Sequence, residues 1–154
     1  MNLNQLLALL PEALAMEALP YFQWPPSPYY RYLALLTKHM PEDRDVFLEL
    51  GTCGGGASLN VAVLNPNKTI ISLDIKKYPG VKEAEDLCPN FKFMLADSVK
   101  SASKLGAEYG GRIGVLFIDT DHTYQQTHDE FNAWLPHLKP GTVVCFDDLN
   151  RDGV

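Results

Sequence analysis

Five short apolar runs recur along this chain, each followed within two residues by a glycine or an acid, with helical stretches between them. The runs are Val46–Leu50, Thr69–Leu73, Phe91–Leu95, Val115–Ile118 and Thr142–Phe146. Short runs rich in Val, Ile, Leu and Phe read as strands. The intervening segments, about 56–64, 80–87, 98–108 and 124–135, read as helices. Such alternation predicts an α/β fold, a parallel sheet of about five strands with helices on both faces. Near-continuous apolar strands fit burial on both sides of that sheet.

Residues 1–45 have a different character and predict a helical, aromatic cap ahead of a core spanning 46–154, the two forming one domain. Leu3, Leu6, Leu7, Leu10 and Leu14 fall at helical spacing, which predicts an amphipathic helix packed on the domain. A Pro-rich stretch follows, carrying Tyr21, Phe22, Trp24, Tyr29, Tyr30 and Tyr32. Its aromatics read as cap packing, or as a lid over a ligand or a dimer contact. A second helix is expected from Ser27 or Pro28 to His39, with Ser27 as its cap and Pro41 ending it.

Charge and cysteine content narrow the function. The chain of 154 residues has 13 Lys and Arg against 19 acids, a net charge of −6. That deficit of cations argues against a nucleic-acid partner. No apolar run is long enough to cross a membrane. The N-terminus has no Lys or Arg before Arg31, so it lacks the basic start of a signal peptide. Three cysteines, Cys53, Cys88 and Cys145, without CxxC spacing fit a reducing cytoplasm better than a disulfide scaffold.

The first strand runs into Gly51-Thr52-Cys53-Gly54-Gly55-Gly56. Glycines between a strand and a helix let backbone approach a ligand closely. The dinucleotide fingerprint G-x-G-x-x-G fails, because Cys53 stands two after Gly51 and Leu59 stands where the third glycine would follow Gly54. Cys53 has no evident base partner and reads as a small buried side chain. In open α/β sheets, ligands bind beyond the carboxyl ends of the strands. Glu49, Asp74, Asp97-Ser98, the set Asp119, Asp121 and His122, and the pair Asp147-Asp148 all fall at those ends. A lone acid there is ordinarily a solvated group or a helix cap. Five strand ends carrying acids predict a site.

Three motifs carry a resemblance. Glu49-Leu50-Gly51-x-x-x-Gly55 resembles motif I of class I S-adenosylmethionine-dependent methyltransferases with a Rossmann-like sheet. Phe117-Ile118-Asp119-Thr120-Asp121-His122-Thr123-Tyr124 and Leu138-Lys139-Pro140-Gly141 through Asp147-Asp148 are similar to motifs of the metal-dependent O-methyltransferases acting on catechols, caffeoyl-CoA and macrolide sugars. The resemblance implies cofactor contacts at Glu49, Gly51, Thr52, Gly55, Asp74, Asp97, Ser98 and Asp119. Asp74 would hold the ribose hydroxyls, and Asp97 and Ser98 would flank the adenine. Asp119, Asp147 and Asp148 would ligate a divalent metal, expected to be Mg²⁺. His122 stands three positions after the first of these, where the catechol enzymes place a lysine base. Asp119 and His122 are therefore the catalytic candidates. The chain departs from the family at Ala57, where serine is usual, and at Thr142, where a second glycine is usual.

The chemistry suits these groups. An acidic rim attracts a sulfonium cation. Methyl transfer needs an aligned acceptor oxygen and a base for its proton, and His titrates in a suitable range. Mg²⁺ prefers oxygen ligands. A structural role for His122 stays open, and a zinc set from Asp121, His122 and His128 is the weaker reading. The expected activity is O-methylation of a small hydroxylated molecule. The alternatives are a domain or fragment that binds the cofactor without turnover, and a nicotinamide-binding domain. The family's sheet usually has seven strands, and the last two have no counterpart in this sequence. The fifth strand would then be an open edge, so the chain is truncated or a second copy covers that edge.

Overall fold

The computed structural model describes residues 3–9, 11–12 and 28–149. Helix α1 spans Leu3–Ala8 and helix α2 spans Pro28–Lys38. Then come β1 (Val46–Leu50), α3 (Gly56–Leu64), β2 (Thr69–Asp74), α4 (Pro79–Leu87), β3 (Phe91–Leu95), α5 (Ser98–Tyr109), β4 (Ile113–Ile118), α6 (Tyr124–Trp134) and β5 (Val143–Phe146). The strands form one parallel sheet in the order β3-β2-β1-β4-β5, the Rossmann-like α/β arrangement expected. The chain leaves β1 in one direction toward β2 and β3, then returns to its other side with β4 and β5. Ligand crevices in open α/β sheets form where the order reverses in this way.

Side-chain alternation builds two cores. Phe47, Ile70, Val115 and Phe117 face α2, α3 and α4. Leu48, Leu50, Ile71, Leu73, Leu116 and Ile118 face α5 and α6, whose Leu105 and Trp134 complete that side. Burial is complete along the central β1 and β4. The edges depart from the expectation of strands buried on both sides: β5 is half-buried throughout, and β3 exposes Lys92 and Leu95. An edge strand lacks a neighbour on one side, and its side chains are covered less.

Helix α2 packs on the sheet. Leu33, Ala34 and Leu36 of α2 pack into the first core, and Asn65 Nδ2 donates to both Ala34 O and Val61 O, tying α2 to α3. In α1, Leu9 just beyond the helix meets this core, whereas Leu7 is exposed, contrary to a fully packed leucine stripe. Leu10, Leu14, Tyr21, Phe22, Trp24, the Ser27 cap and residues 150–154 lie outside the described residues. Among the described residues no helix is long and apolar enough to cross a membrane.

Backbone bonds continue the ladder past the strand ends. Gly51 N donates to Leu73 O, Asp119 N to Leu50 O, Asp147 N to Ile118 O and Ala96 N to Asp74 O, at 2.8–3.0 Å. The acids that close each strand are thereby held level at one rim.

Candidate functional site

Gly51 sits at φ +94, and a Cβ there would lie 1.8 Å from the Asp119 carbonyl oxygen. The turn after β1 and the turn after β4 therefore pass in direct contact, which only glycine permits. Gly55, also left-handed at φ 83, starts α3 from the N-cap position. The side chains around this crossing line one cleft of about 1200 Å³. Glu49, Gly51, Thr52, Asp74, Asp97, Ser98, Asp119, Asp121, His122, Asp147 and Asp148 all line it. Of the expected site residues only Gly55 does not; its part is to turn the chain.

Cys53 corrects an expectation. It is exposed rather than buried, because its own backbone turns outward at φ 45. Its N–H donates to Asp74 Oδ2 at 2.8 Å, while Lys76 N–H donates to Oδ1 at 3.0 Å. Each carboxylate oxygen of Asp74 still has a lone pair for a ligand hydroxyl. Asp97 caps α5, accepting from Val99 N and Lys100 N and pairing with Lys100 Nζ at 2.8 Å. The Lys100 contacts hold its carboxyl below the usual carboxylate range. This is the capping role a lone Asp usually plays, here on a residue that also faces the cleft.

Glu49 lies on the floor, only 1% exposed, and its Oε2 accepts from Ser58 Oγ and Ser72 Oγ, both at 2.5 Å. Burial raises its pKa from the usual 4.5 to about 7, against the opposing pull of the two serines. A folded chain that holds this proton more tightly than the unfolded chain loses stability as pH rises from about 4.5 to about 7, and no more above that. Glu49→Gln removes the ionisation and keeps an oxygen for both serines. Its stability should match wild type near pH 4.5 and exceed it above pH 7 by on the order of 3 kcal/mol. Urea midpoints at both ends of the range measure this, and a gap that does not widen with pH contradicts it.

The far end of the cleft is crowded with carboxylates. Asp119 shares a side-chain hydrogen bond with Asp147, and burial, then Asp147 and Glu49, push its pKa well above the usual range. His122 stands between two acids, Nε2 3.7 Å from Asp119 Oδ1 and Nδ1 3.5 Å from Asp148 Oδ2. Cys53, His122 and Asp148 are the non-glycine residues with positive φ among the described residues, and all three line this cleft. Such conformations cost about 1–3 kcal/mol each and gather where function requires them. The N-cap of α6 is Thr123, whose Oγ1 accepts from Gln126 N.

The donor chemistry at Asp119, Asp147 and Asp148 fits a hard divalent cation, whose charge would relieve their mutual repulsion. Among the described residues, however, no three His, Cys, Asp or Glu side chains are gathered closely enough to form a ready-made cage. His128 is exposed, paired with Asp129 at 3.2 Å and stacked on Tyr124. It gives the zinc reading no support.

Two further features of the cleft lie beyond the motifs of the sequence. Tyr29 and Tyr30, edge to face at 4.8 Å between centroids, line the cleft, and Tyr29 Oη donates to Asp147 Oδ2 at 3.2 Å. Burial, then Tyr29, Asp119 and Glu49, raise the Tyr30 phenol, which stays protonated. Glu130 of α6 is wholly buried behind the cleft wall. Its signal was the spacing Gln126-Glu130-Trp134, which puts an acid on the same helix stripe as a core tryptophan.

An uncharacterised protein of Acanthamoeba polyphaga mimivirus is 30% identical over 132 residues, covering 78% of this chain. The chain spans 58% of that relative's length. A TDP-rhamnose 3'-O-methyltransferase of calicheamicin biosynthesis superposes with a TM-score of 0.67 at 21% identity, over 97% of this chain and 77% of its own. MycE, a methyltransferase of the mycinamycin pathway solved with Mg and S-adenosylhomocysteine, gives a TM-score of 0.61 at 22% identity, over 79% of this chain and 34% of its own. The two solved structures share the fold. The family model described as a methyltransferase domain matches residues 48–149, which takes in the end of β1, all of β2 to β5 and every acid of the rim. The chain therefore belongs to the methyltransferase domain family.

Proposed function

We propose that this chain binds S-adenosylmethionine in the cleft and transfers its methyl group to an oxygen of a small hydroxylated acceptor. The carrying observation is that one cleft joins the Gly51 turn and Asp74 to the cluster of Asp119, His122, Asp147 and Asp148. A cofactor lying along it would place its ribose at Asp74 and its sulfur toward His122. The sulfonium is a cation, and the cleft wall among the described residues contains acids but no Lys or Arg. Asp74 serves a ribose diol with the lone pairs its backbone contacts leave free.

His122 is the proposed base for the acceptor hydroxyl. The side chains of Asp119 and Asp148 flank its two ring nitrogens and orient the ring toward the cleft. Tyr29 and Tyr30 wall the same end. Asp119, Asp147 and Asp148 are the proposed holders of Mg²⁺, which when bound would acidify and orient the acceptor hydroxyl.

Titration calorimetry separates this reading from the nicotinamide alternative. Saturable binding of S-adenosylmethionine with no response to NAD is the expected result. Binding of NAD without binding of the sulfonium cofactor would sink the proposal.

A further inference from the structure

We infer that Glu130 is a positioning residue that sets the hydrogen-bond polarity of the adenosine end of the cleft, by holding the Ser98 and Thr120 hydroxyls as ligand acceptors. The inference rests on the cofactor reading above. Glu130 is 0% exposed. Its Oε1 accepts from Ser98 Oγ, in a short bond, and from Gln126 Nε2 at 2.9 Å. Its Oε2 accepts from Thr120 Oγ1 at 2.9 Å. The donors come from three segments: the start of α5, the turn after β4, and α6 itself. All three are uncharged.

A carboxylate buried among neutral donors is less favourable than an apolar side chain of similar volume. Packing therefore does not account for it. What it does is accept from a hydroxyl at each oxygen, Ser98 Oγ at Oε1 and Thr120 Oγ1 at Oε2. The hydroxyl protons of Ser98 and Thr120 are therefore directed inward, away from any ligand. Ser98, Thr120 and Gln126 line the cleft, while Glu130 lies behind them. Ser98 Oγ also accepts from Gln126 Nε2 at 3.4 Å, so it keeps one lone pair, and Thr120 Oγ1 two, for a ligand donor. Ser98 has little freedom to do otherwise, since Trp134 Nε1 donates to its carbonyl at 3.1 Å and Asp97 caps the helix it begins.

An acceptor-lined wall suits the 6-amino group of adenine and opposes the 6-oxo group of a deaminated base. A site built around one hydrogen-bond polarity discriminates strongly against the opposite one, because its buried groups are then left unpaired. Glu130 acts through the two hydroxyls and touches no ligand itself.

The test is the ratio of two affinities. S-adenosylhomocysteine and S-inosylhomocysteine, which differ in the amino and oxo group, are titrated into the wild-type chain and into Glu130→Gln. Wild type is expected to prefer the amino compound by about tenfold or more. In Glu130→Gln the new amide N–H₂ must face one hydroxyl, which turns to accept and sends its own proton toward the cleft. The preference should then fall to about threefold or less. A double variant, Ser98→Ala with Glu130→Gln, should lower the ratio by less than the two single changes combined, because the residues act as a unit. A merely structural role would weaken both ligands alike, so an unchanged ratio in Glu130→Gln overturns the inference whatever happens to absolute affinity. Equal affinities in wild type overturn it while leaving the cofactor reading intact. If wild type binds neither compound, the cofactor reading fails first and this inference with it.

Discussion

Gly51→Ala is expected to destabilise the chain by about 3 kcal/mol or more and to abolish ligand binding in the cleft. The new Cβ would lie 1.8 Å from the Asp119 carbonyl oxygen and 2.6 Å from its carbon, both backbone atoms that no side-chain rotation can clear. The residue would also be held at φ +94, which disfavours any side chain. Neither partner is free to retreat. Gly51 N is bonded to Leu73 O at 2.8 Å and Asp119 N to Leu50 O at 2.9 Å, so relief at this crossing breaks the ladder on one side of β1 or the other. Gly54→Ala is the matched control, because a Cβ there meets nothing within 4 Å. Urea midpoints and S-adenosylmethionine titrations on both variants measure the difference. Equal behaviour of the two would show that the close approach of the turns is not what glycine provides at Gly51.

The sheet was legible because its strands are near-continuous apolar runs, and such runs have few alternatives. Phe91–Leu95 and Val46–Leu50 begin and end where the pattern places them. β4 starts earlier than its run, at Ile113, because Gly114 interrupts the apolar series where the Met40 side chain needs the space. β5 starts one residue later than its run, since Thr142 turns its Oγ1 to the Ile113 carbonyl. The acids of the rim were legible from their place after each run. What they bond to was not: Asp74 holding the Cys53 N–H, or Asp97 spent on Lys100, depends on the path of the turn. The exposure of Cys53 is hidden for the same reason, since it follows from a left-handed backbone. Glu130 escaped notice because an acid in an amphipathic helix ordinarily faces solvent, and only the third dimension brings Ser98 and Thr120 to it. The role of Tyr29 was left open because its partner, Asp147, lies at the other end of the sequence.

Asp119→Asn should separate what this residue does for stability from what it does for function, in opposite directions. In the folded chain the Asp119 pKa is raised, chiefly by burial and then by Asp147 and Glu49. The unfolded chain gives up that proton at ordinary carboxylate pH. The folded chain therefore loses stability as pH rises from the usual Asp range up through the raised value. Asparagine carries no charge to be crowded. Without metal, the variant should be more stable than wild type at neutral and alkaline pH, by on the order of 1–2 kcal/mol, with the advantage vanishing in acid. Its Mg²⁺ affinity should fall at least about tenfold, and methyl transfer should be lost, because a proposed ligand has become a weaker neutral donor. His122→Ala is the companion variant. It should keep Mg²⁺ and cofactor affinity while slowing transfer by about a hundredfold or more, as removal of a base does. Unchanged Mg²⁺ affinity in Asp119→Asn would remove Asp119 from the metal set, and a wild-type rate in His122→Ala would return that histidine to a structural role. A variant that is more stable yet inactive would mean that the crowding of Asp119, Asp147 and Asp148 opposes folding and is kept for its chemistry.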